Sequence, residues 1–203
     1  MNISKEDHDR IASAIRAAEA RTAGEIVCVL AQTSSHLTGL PIFIAAVAAL
    51  ATPWLLTIFT SMTVYRILLL QIIVFLALLV VLCLPRVRVA LMPHRARRAY
   101  AYRVAMEQFV SRGVARNKNQ SGILIFVSLA ERYARIIAGT EIAARVPQTK
   151  WQAAVDALIA HTRNGRIADG FIAAIDMCGD ELARHFPCTD ASRNEFSDRI
   201  YLI

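Results

Sequence analysis

Four carboxylate side chains are the residues whose type and spacing could hold a metal ion. Asp176 and Asp180 lie four positions apart, and on a helix they would share one face, where they repel each other unless a cation or Arg184 neutralises them. Glu25 and Glu131 each stand at the end of a predicted strand and would form an acidic pair if the two ends met. Because calcium takes about six to eight oxygen ligands, these four residues are candidate metal ligands, and solvated surface charges are the alternative.

Cysteine and histidine spacing offers a second, softer set of ligands. Cys178 and His185 are two helical turns apart and could join Cys188 in a three-ligand site. The alternative places Cys178 in the core and His185 at a helix end, where the helix dipole favours it. No P-loop, GxGxxG, HExxH or GxSxG pattern occurs. The four cysteines, at positions 28, 83, 178 and 188, form no CxxC pair, which indicates free thiols in a reducing compartment.

An arginine cluster contributes strongly to the net charge of +7. It contains no acid between positions 86 and 103 and comprises Arg86, Arg88, Arg95, Arg97, Arg98 and Arg103. Such a cluster beside a membrane helix can hold that flank in the cytoplasm or bind anionic lipid head groups. We therefore expect the first five arginines to contact the membrane surface. No recognition motif or interleaving of aromatic and basic residues is present, so nucleic acid is not an expected partner.

Two apolar runs, Leu40–Phe59 and Tyr65–Leu84, have the length of about 20 residues that a bilayer-spanning helix needs. The only charge between Leu40 and Leu84 is Arg66, and the link between the runs is short enough to require an antiparallel hairpin. A buried hairpin of a soluble core is the alternative, but neither run shows the polar stripe of a surface helix. The charged, helical N-terminus is not a signal peptide. We expect two spans in the inner (plasma) membrane.

The arginine cluster also predicts the side on which the rest of the chain lies. Two spans place both flanks on the same side of the bilayer, and positive charge close to a span stays in the cytoplasm. The soluble domain is therefore predicted to be cytoplasmic, with the Thr60–Val64 tip outside and Arg66 as an interfacial anchor.

The remaining sequence predicts a small α/β domain. Glu25–Leu30 and Ile123–Leu129 are short, β-branched and almost wholly apolar, as in strands that are buried on both faces. Tyr133–Ala138 alternates like an edge strand with Arg135 outward, and Arg199–Ile203 could add a short strand. One helix is predicted after a cap at Ser4, and another after a capping box of Thr149 and Gln152. A third is predicted over His94–Val114, and its apolar face comprises Ala99, Tyr102, Met106, Phe109 and Val110. The last is predicted over Arg166–His185, and its inward residues are Ile167, Phe171, Ile175, Cys178 and Leu182.

The predicted fold class is α/β, with a small mixed sheet of three or four strands that is packed by helices and interrupted by a transmembrane helical hairpin. Residues 1–38 form the first part of the α/β domain and residues 39–85 the hairpin. Residues 86–187 form the second part of the α/β domain, and residues 188–203 are a tail with the added strand.

The residues around the predicted central hairpin resemble a known family. Segment 120–139, QSGILIFVSLAERYARIIAG, is similar to the central hairpin of the TPM domain family, which is named for thylakoid-lumen, photosystem-repair and acetylcholine-receptor-associated members. Thr22–Ile26 resembles the entry to its first strand. Similarity to the C-terminal half of bacterial membrane members is carried by Trp151, Gly170–Ile175, His185–Pro187 and Asn194–Arg199.

The resemblance implies a compact α/β sandwich associated with membrane or envelope complexes, and it implies a weak acid-phosphatase activity and calcium binding in some members. This chain departs from the family at the turn after the central strand, which has only Glu131 where acids are often abundant. We therefore expect a membrane-anchored, non-catalytic or regulatory module that binds an unidentified membrane or envelope protein, with a homo-oligomer as a further option. The alternative is a weak acid phosphatase linked to calcium, and calcium is the single cofactor that the resemblance suggests.

Overall fold

The computed structural model describes residues 4–32, 39–60, 63–84, 87, 93–114, 122–188 and 199–203. The chain divides into two units: Met1–Ser34 with Arg98–Ile203, called the α/β unit below, and Ser35–Arg97, called the helical unit. The helices are α1 (Lys5–Glu19), α2 (Gly39–Phe59), α3 (Val64–Cys83), α4 (His94–Ser111), α5 (Thr140–Arg145), α6 (Gln148–Arg163) and α7 (Ile167–His185). The strands are β1 (Glu25–Ala31), β2 (Gly122–Ser128), β3 (Tyr133–Ala138) and β4 (Ile200–Leu202).

The sheet of the α/β unit has four strands in the order β3-β2-β1-β4. Strand β1 is parallel to both β2 and β4, whereas β2 and β3 form an antiparallel hairpin. All seven residues of β1 and all seven of β2 are buried, because helices cover both faces of the sheet. The predicted mixed sheet, with two central buried strands and an edge strand at Tyr133–Ala138, is confirmed.

Alternate residues of β1 enter two different hydrophobic clusters. Ile26, Cys28 and Leu30 pack with α1, α6 and α7 on one face of the sheet. Val27, Val29 and Ala31 pack with α4 on the other face. The α/β unit therefore has three layers, with the sheet between α4 and the other helices.

The buried face of α4 differs from the prediction. Ala101, Ala105 and Phe109 are buried at intervals of four residues, whereas Tyr102 and Val110 remain 39% and 50% exposed. The prediction is confirmed for Phe109, and Met106 is partly buried against the same cluster. It is wrong for Tyr102 and Val110, because it favoured large apolar residues over alanines. Two alanines allow the helix to lie closer to the sheet than tyrosine or valine would, so the helix turns its small residues inward.

Helices α1 and α7 follow the predicted pattern. The side-chain oxygen of Ser4 accepts a hydrogen bond from the backbone N–H of Asp7 at 3.0 Å and caps α1. All five residues predicted to face inward on α7 are buried: Ile167, Phe171, Ile175, Cys178 and Leu182. The two helices pack against each other in the larger cluster.

The capping box predicted for α6 is wrong. The helix begins two residues earlier than a cap at Thr149 implies, at Gln148, with Pro147 in the cap position. Gln152 does not reach back to the helix start, and its side-chain amide instead donates to Asp156 Oδ1 at 3.0 Å. Proline before the first turn fixes the entry of the chain into the helix without a side-chain cap.

The helical unit consists largely of two apolar helices that pack against each other. Ala45, Ala49, Ile67 and Leu82 are buried, while large side chains such as Trp54 at 76% exposure face outward. Helix α2 continues through Pro53 to Phe59. The segments Pro41–Phe59 and Val64–Cys83 have mean hydropathies of 2.2 and 2.9 and are long and apolar enough to cross a membrane. Residues 61 and 62 of the predicted tip lie outside the described residues.

Candidate functional site

The candidate ligands Glu25 and Glu131 lie at opposite ends of the sheet. The strand register pairs Glu25 with Gly122 at one end and Ala31 with Ser128 at the other. Glu131 follows Ser128 in the β2–β3 turn and accepts a hydrogen bond from the Ser128 hydroxyl. Strands rise by about 3.3 Å per residue, so the length of β1, on the order of 20 Å, separates the two carboxylates. They cannot bind one metal ion.

The acids of α7 are partly neutralised by an arginine that the sequence did not suggest. Arg21, just beyond the end of α1, contacts Asp180 with Nη1 and Oδ1 2.7 Å apart. Arg184, the predicted neutralising residue, pairs with Glu181 instead at 3.0 Å. Asp176 is exposed. In the part of the chain that the structure describes, no three His, Cys, Asp or Glu side chains come together in a way that could hold a metal ion.

The cysteines also separate by environment. Cys28 and Cys178 are buried, whereas Cys83 and Cys188 are exposed. Burial raises the pKa of the Cys28 thiol well above its ordinary value, and it raises the pKa of Cys178 in the same direction. The thiolate is the reactive and metal-binding form, so burial disfavours both functions. Cys28 and Cys178 pack in the hydrophobic cluster on one face of the sheet.

Only part of the arginine cluster falls within the described residues. Arg86 and Arg88 lie outside them. Arg95 and Arg97 lie in the first turn of α4, which the helical unit shares, and Arg98 is the first residue of the second segment of the α/β unit. Arg98 is exposed and lines a groove.

This groove, the β3 groove below, has a volume of about 650 Å³ and follows the edge strand. Helix α4 forms one wall and α6 forms the other, while the β2–β3 turn and β3 lie between them. Its lining comprises Arg98, Ala99 and Tyr102 from α4, Arg132–Ile136 from the turn and strand, and Gln148, Gln152, Val155 and Ile159 from α6. Three arginines and no acid are present among these described lining residues.

The three arginines of the β3 groove form no ion pair within the described residues, although Arg132 directly follows the buried carboxylate of Glu131. Arg98, Arg132 and Arg135 are exposed, and none of them forms an ion pair with a carboxylate elsewhere in the described ranges. The Arg135 guanidinium lies 4.7 Å from the centre of the Tyr102 ring, a cation–π contact that holds it against α4. Guanidinium groups in this arrangement can donate hydrogen bonds to carboxylate or phosphate oxygens.

The turn that carries Arg132 has an unusual backbone. Arg132 adopts φ = 51°, in the left-handed region that non-glycine residues seldom occupy. Its N–H donates to the Leu129 carbonyl at 3.3 Å, and the side chains of Ser128 and Glu131 meet inside the same turn. The buried Ser128–Glu131 contact therefore stabilises a turn that places an arginine at one end of the groove.

Comparison with known proteins identifies the family. The family model of the TPM domain matches residues 79–181, just over half of the chain. The chain belongs to the TPM domain family. The match includes β2, β3 and most of α7, so the β3 groove lies within the TPM domain.

A solved structure shares the fold of this TPM domain protein. The NMR structure of the BA42 protein from the psychrophilic bacterium Bizionia argentinensis is similar with a TM-score of 0.62 and 18% sequence identity. The similarity covers 100% of this chain and 96% of that one. No curated protein sequence matches the chain. The predicted family and the predicted α/β fold are both confirmed.

The sequence predicts separate roles for several residues of the β3 groove and does not bring them together. Arg98 was assigned to the membrane surface, and Arg135 was predicted to face outward from an edge strand. Tyr102 was assigned to the core, although it stacks on Arg135. The lining comes from three segments that are far apart in sequence. The local signal was the edge-strand alternation with outward arginine, which marks an exposed basic edge without showing its walls.

Proposed function

We propose that this protein is a membrane-anchored TPM domain module that binds a partner in the β3 groove and has no catalytic role of its own. The observation that carries this proposal is the groove lining, which presents three exposed arginines and no acid among its described residues. Metal-dependent phosphatases hold their ions with oxygen and nitrogen ligands, and neighbouring guanidinium groups repel a cation. An anionic partner fits the same surface well.

The proposed anchor is the helical unit. Helices α2 and α3 expose large apolar side chains over most of their length, as lipid-facing helices do. Two spans would put both flanks of the hairpin on one side of the inner (plasma) membrane. The arginines before and within α4 support the cytoplasmic side.

A reporter fused after Ile203 tests this orientation. We expect a fluorescent protein at that position to be bright and alkaline phosphatase to be inactive, because alkaline phosphatase becomes active only outside the cytoplasm. The same two reporters fused between residues 60 and 63 should give the opposite pattern. An active alkaline phosphatase after Ile203 would overturn the cytoplasmic placement.

The second candidate function is a weak, calcium-linked acid phosphatase. Its support is membership of the TPM domain family together with the buried carboxylate of Glu131, which is 6% exposed beside Arg132. A single carboxylate bonded to Ser128 is a sparse ligand set for calcium. This candidate therefore stands behind the binding module.

Hydrolysis of p-nitrophenyl phosphate by the full-length protein in detergent micelles separates the two candidates. We expect no turnover above that of the Glu131→Gln variant at acidic or neutral pH, with or without calcium. Circular dichroism should show that the variant melts cooperatively, so that the comparison is between folded proteins. Calcium-stimulated hydrolysis that disappears in Glu131→Gln would establish the phosphatase and overturn the non-catalytic role.

A further inference from the structure

We infer that the β3 groove takes an extended acidic segment of a partner protein, which adds to the sheet as a fifth strand beside β3. This inference rests on the proposed binding function and specifies the partner's chemistry and its mode of attachment. Three features of the groove carry it: a strand edge without a neighbouring strand, three arginines that form no ion pair within the described residues, and apolar side chains on the α6 wall.

The open edge follows from the strand order and register. Strand β3 is the last strand on its side of the sheet. The Gly139 N–H donates to the Gly122 carbonyl at 2.9 Å, and backbone groups in an antiparallel strand turn to alternate sides. The N–H and C=O groups of Ala134, Ile136 and Ala138 therefore point away from β2. Ala134 and Ala138 are partly exposed, whereas Ile136 is 2% exposed at the floor of the groove. Within the described residues, no turn, loop or side-chain hydrogen bond involves these three residues, so a strand that enters the groove would supply partners for their outward backbone groups.

The two walls of the groove have different chemistry. Tyr133 and Ile137 of β3 pack in the cluster that includes α4, and Arg135 stacks on Tyr102 of that helix. Ala134, Ile136 and Ala138 pack in the cluster that includes α6. The α4 wall thus carries guanidinium groups, whereas the α6 wall offers Val155 and Ile159 beside two glutamines.

A strand added at this edge would also alternate its side chains between the two walls. Every second side chain would face the arginines, and the intervening ones would face Val155 and Ile159. The fitting segment therefore alternates acidic and apolar residues. Main-chain hydrogen bonds supply affinity in such complexes, and the alternate side chains supply specificity.

A phosphate-bearing lipid head group fits the same edge less well. A phosphodiester offers hydrogen-bond acceptors, which suit the arginines and the outward N–H groups but leave the outward carbonyls without donors. A peptide strand supplies a donor and an acceptor at every second residue. The open edge thus favours a polypeptide over a membrane surface.

The test uses full-length protein in nanodiscs of zwitterionic lipid and a fluorescent peptide of alternating Glu and Val. We expect binding by anisotropy, with amides of Ala134, Ile136 and Ala138 gaining protection from hydrogen exchange and those of β4 unchanged. A peptide of the same composition with its Glu and Val residues in separate blocks, and a Lys-Val peptide, serve as probe controls. Failure of the alternating peptide to bind or to protect these amides would overturn the inference.

Variants separate strand addition from simple charge attraction. Ala134→Pro removes an outward N–H without removing a β2–β3 hydrogen bond, and we expect it to weaken peptide binding about tenfold or more. Arg98→Gln and Arg135→Gln should each weaken binding about two- to fivefold. Arg103→Gln, on α4 outside the groove lining, is the matched charge control and should change little. Unchanged binding by a folded Ala134→Pro would show a plain anion site and overturn strand addition.

Two further outcomes are distinct. If Ala134→Pro fails to fold, amide protection in the natural protein decides the question alone. If phosphatidylglycerol vesicles displace the peptide, or protect the groove amides where the peptide does not, the ligand is lipid and the inference is overturned. Calcium-stimulated phosphatase activity would overturn the non-catalytic role, while the amide protection would still decide whether an acidic strand binds.

Discussion

At the scale of single residues, two ion pairs connect α1 and the residues that follow it to α7. Arg10 Nη2 lies 2.6 Å from Asp169 Oδ1, and Arg21 Nη1 lies 2.7 Å from Asp180 Oδ1. Arg10 lowers the pKa of the Asp169 carboxyl, chiefly through the hydrogen bond that it donates and also through its positive charge. All four side chains are at least one-third exposed, so salt screens both pairs.

This lowered pKa gives the Asp169 pair a defined pH dependence. The carboxyl is more acidic in the folded than in the unfolded chain, so its stabilising effect is fully present above the unfolded pKa of about 3.9 and is lost as pH falls through the folded value. We expect Asp169→Asn to lower the melting temperature slightly near neutral pH, and this difference should close below about pH 4. Thermal denaturation by circular dichroism across pH measures it.

Asp176→Asn is the matched control for that measurement. Asp176 lies on the same helix, is exposed, and has no ion-pair partner within the ranges that the structure describes. A difference at Asp169 that persists unchanged at low pH, or one that Asp176→Asn reproduces, would show that charge pairing with Arg10 is not its cause.

The ion-pair partner of Asp180 could not be predicted from the sequence, because the two residues are far apart along the chain. The repulsion between Asp176 and Asp180 was visible from helix spacing, and the sequence correctly indicated that an arginine could relieve it. The chosen arginine was wrong, because Arg21 is 159 positions from Asp180 and reaches it only after α1 and α7 pack. Local spacing can identify a charge that needs a partner, but the partner is set by tertiary contact.

At the scale of elements, α7 approaches both of its neighbouring helices through glycines. A Cβ atom on Gly179 would lie 2.8 Å from Ala18 Cβ of α1. A Cβ on Gly170 would lie 2.9 Å from the Leu158 carbonyl oxygen of α6. These distances are shorter than van der Waals contact, so the two helices can lie this close to α7 only because glycine occupies both crossings.

Gly179→Ala should therefore destabilise the protein although alanine favours helix. The gain in helix propensity is about 1 kcal/mol, whereas pushing packed helices apart typically costs about 1–3 kcal/mol. We expect a lower melting temperature in circular dichroism. Asp176→Ala, at an exposed position of α7, improves propensity without a clash and should not lower it. A melting temperature that rises in Gly179→Ala would mean that α1 moves away without loss.

Elements with large apolar side chains were predicted well, and elements packed through small ones were not. The continuous β-branched runs of β1 and β2 could belong only to strands covered on both faces, and they are. Helix α4 misled the prediction because its contact with the sheet uses Ala101 and Ala105, which a hydrophobicity pattern hardly distinguishes from surface alanines. The start of α6 was missed because Pro147 replaced the expected side-chain cap.

At the scale of the whole molecule, the α/β unit is assembled from two distant segments. Strand β1 comes from the first segment, while its neighbours β2 and β4 come from the second. The register that joins β1 to β2 extends over seven residue pairs without a break. The β3 groove lies entirely in the second segment. Its arginines can be read from the sequence, but the groove itself could not be predicted, because its walls depend on how α4, β3 and α6 pack.

We expect the α/β unit to fold after Leu40–Leu84 is replaced by a short glycine- and serine-rich linker. All of its sheet contacts and both hydrophobic clusters lie outside that stretch. The shortened protein should be soluble without detergent, give circular dichroism of mixed helix and strand, and melt cooperatively. A second shortened protein carrying Val29→Asp, which buries a charge in β1, should fail to fold and serves as the negative control. An unfolded or aggregated parent would contradict the two-segment unit.

The separation of β1 from β2 also has a consequence during synthesis. About 90 residues lie between Ala31 and Gly122, and ribosomes add about 5–20 residues per second, so β1 waits roughly 5–20 s before its parallel neighbour exists. During this interval both edges of the strand lack their native neighbours, and α6 and α7, which cover one of its faces, do not yet exist. Nascent chains in such a state meet chaperones or aggregate. The two apolar helices are made within the same interval. Translation speed through codons 32–121 therefore sets how long the nascent chain carries an unprotected strand.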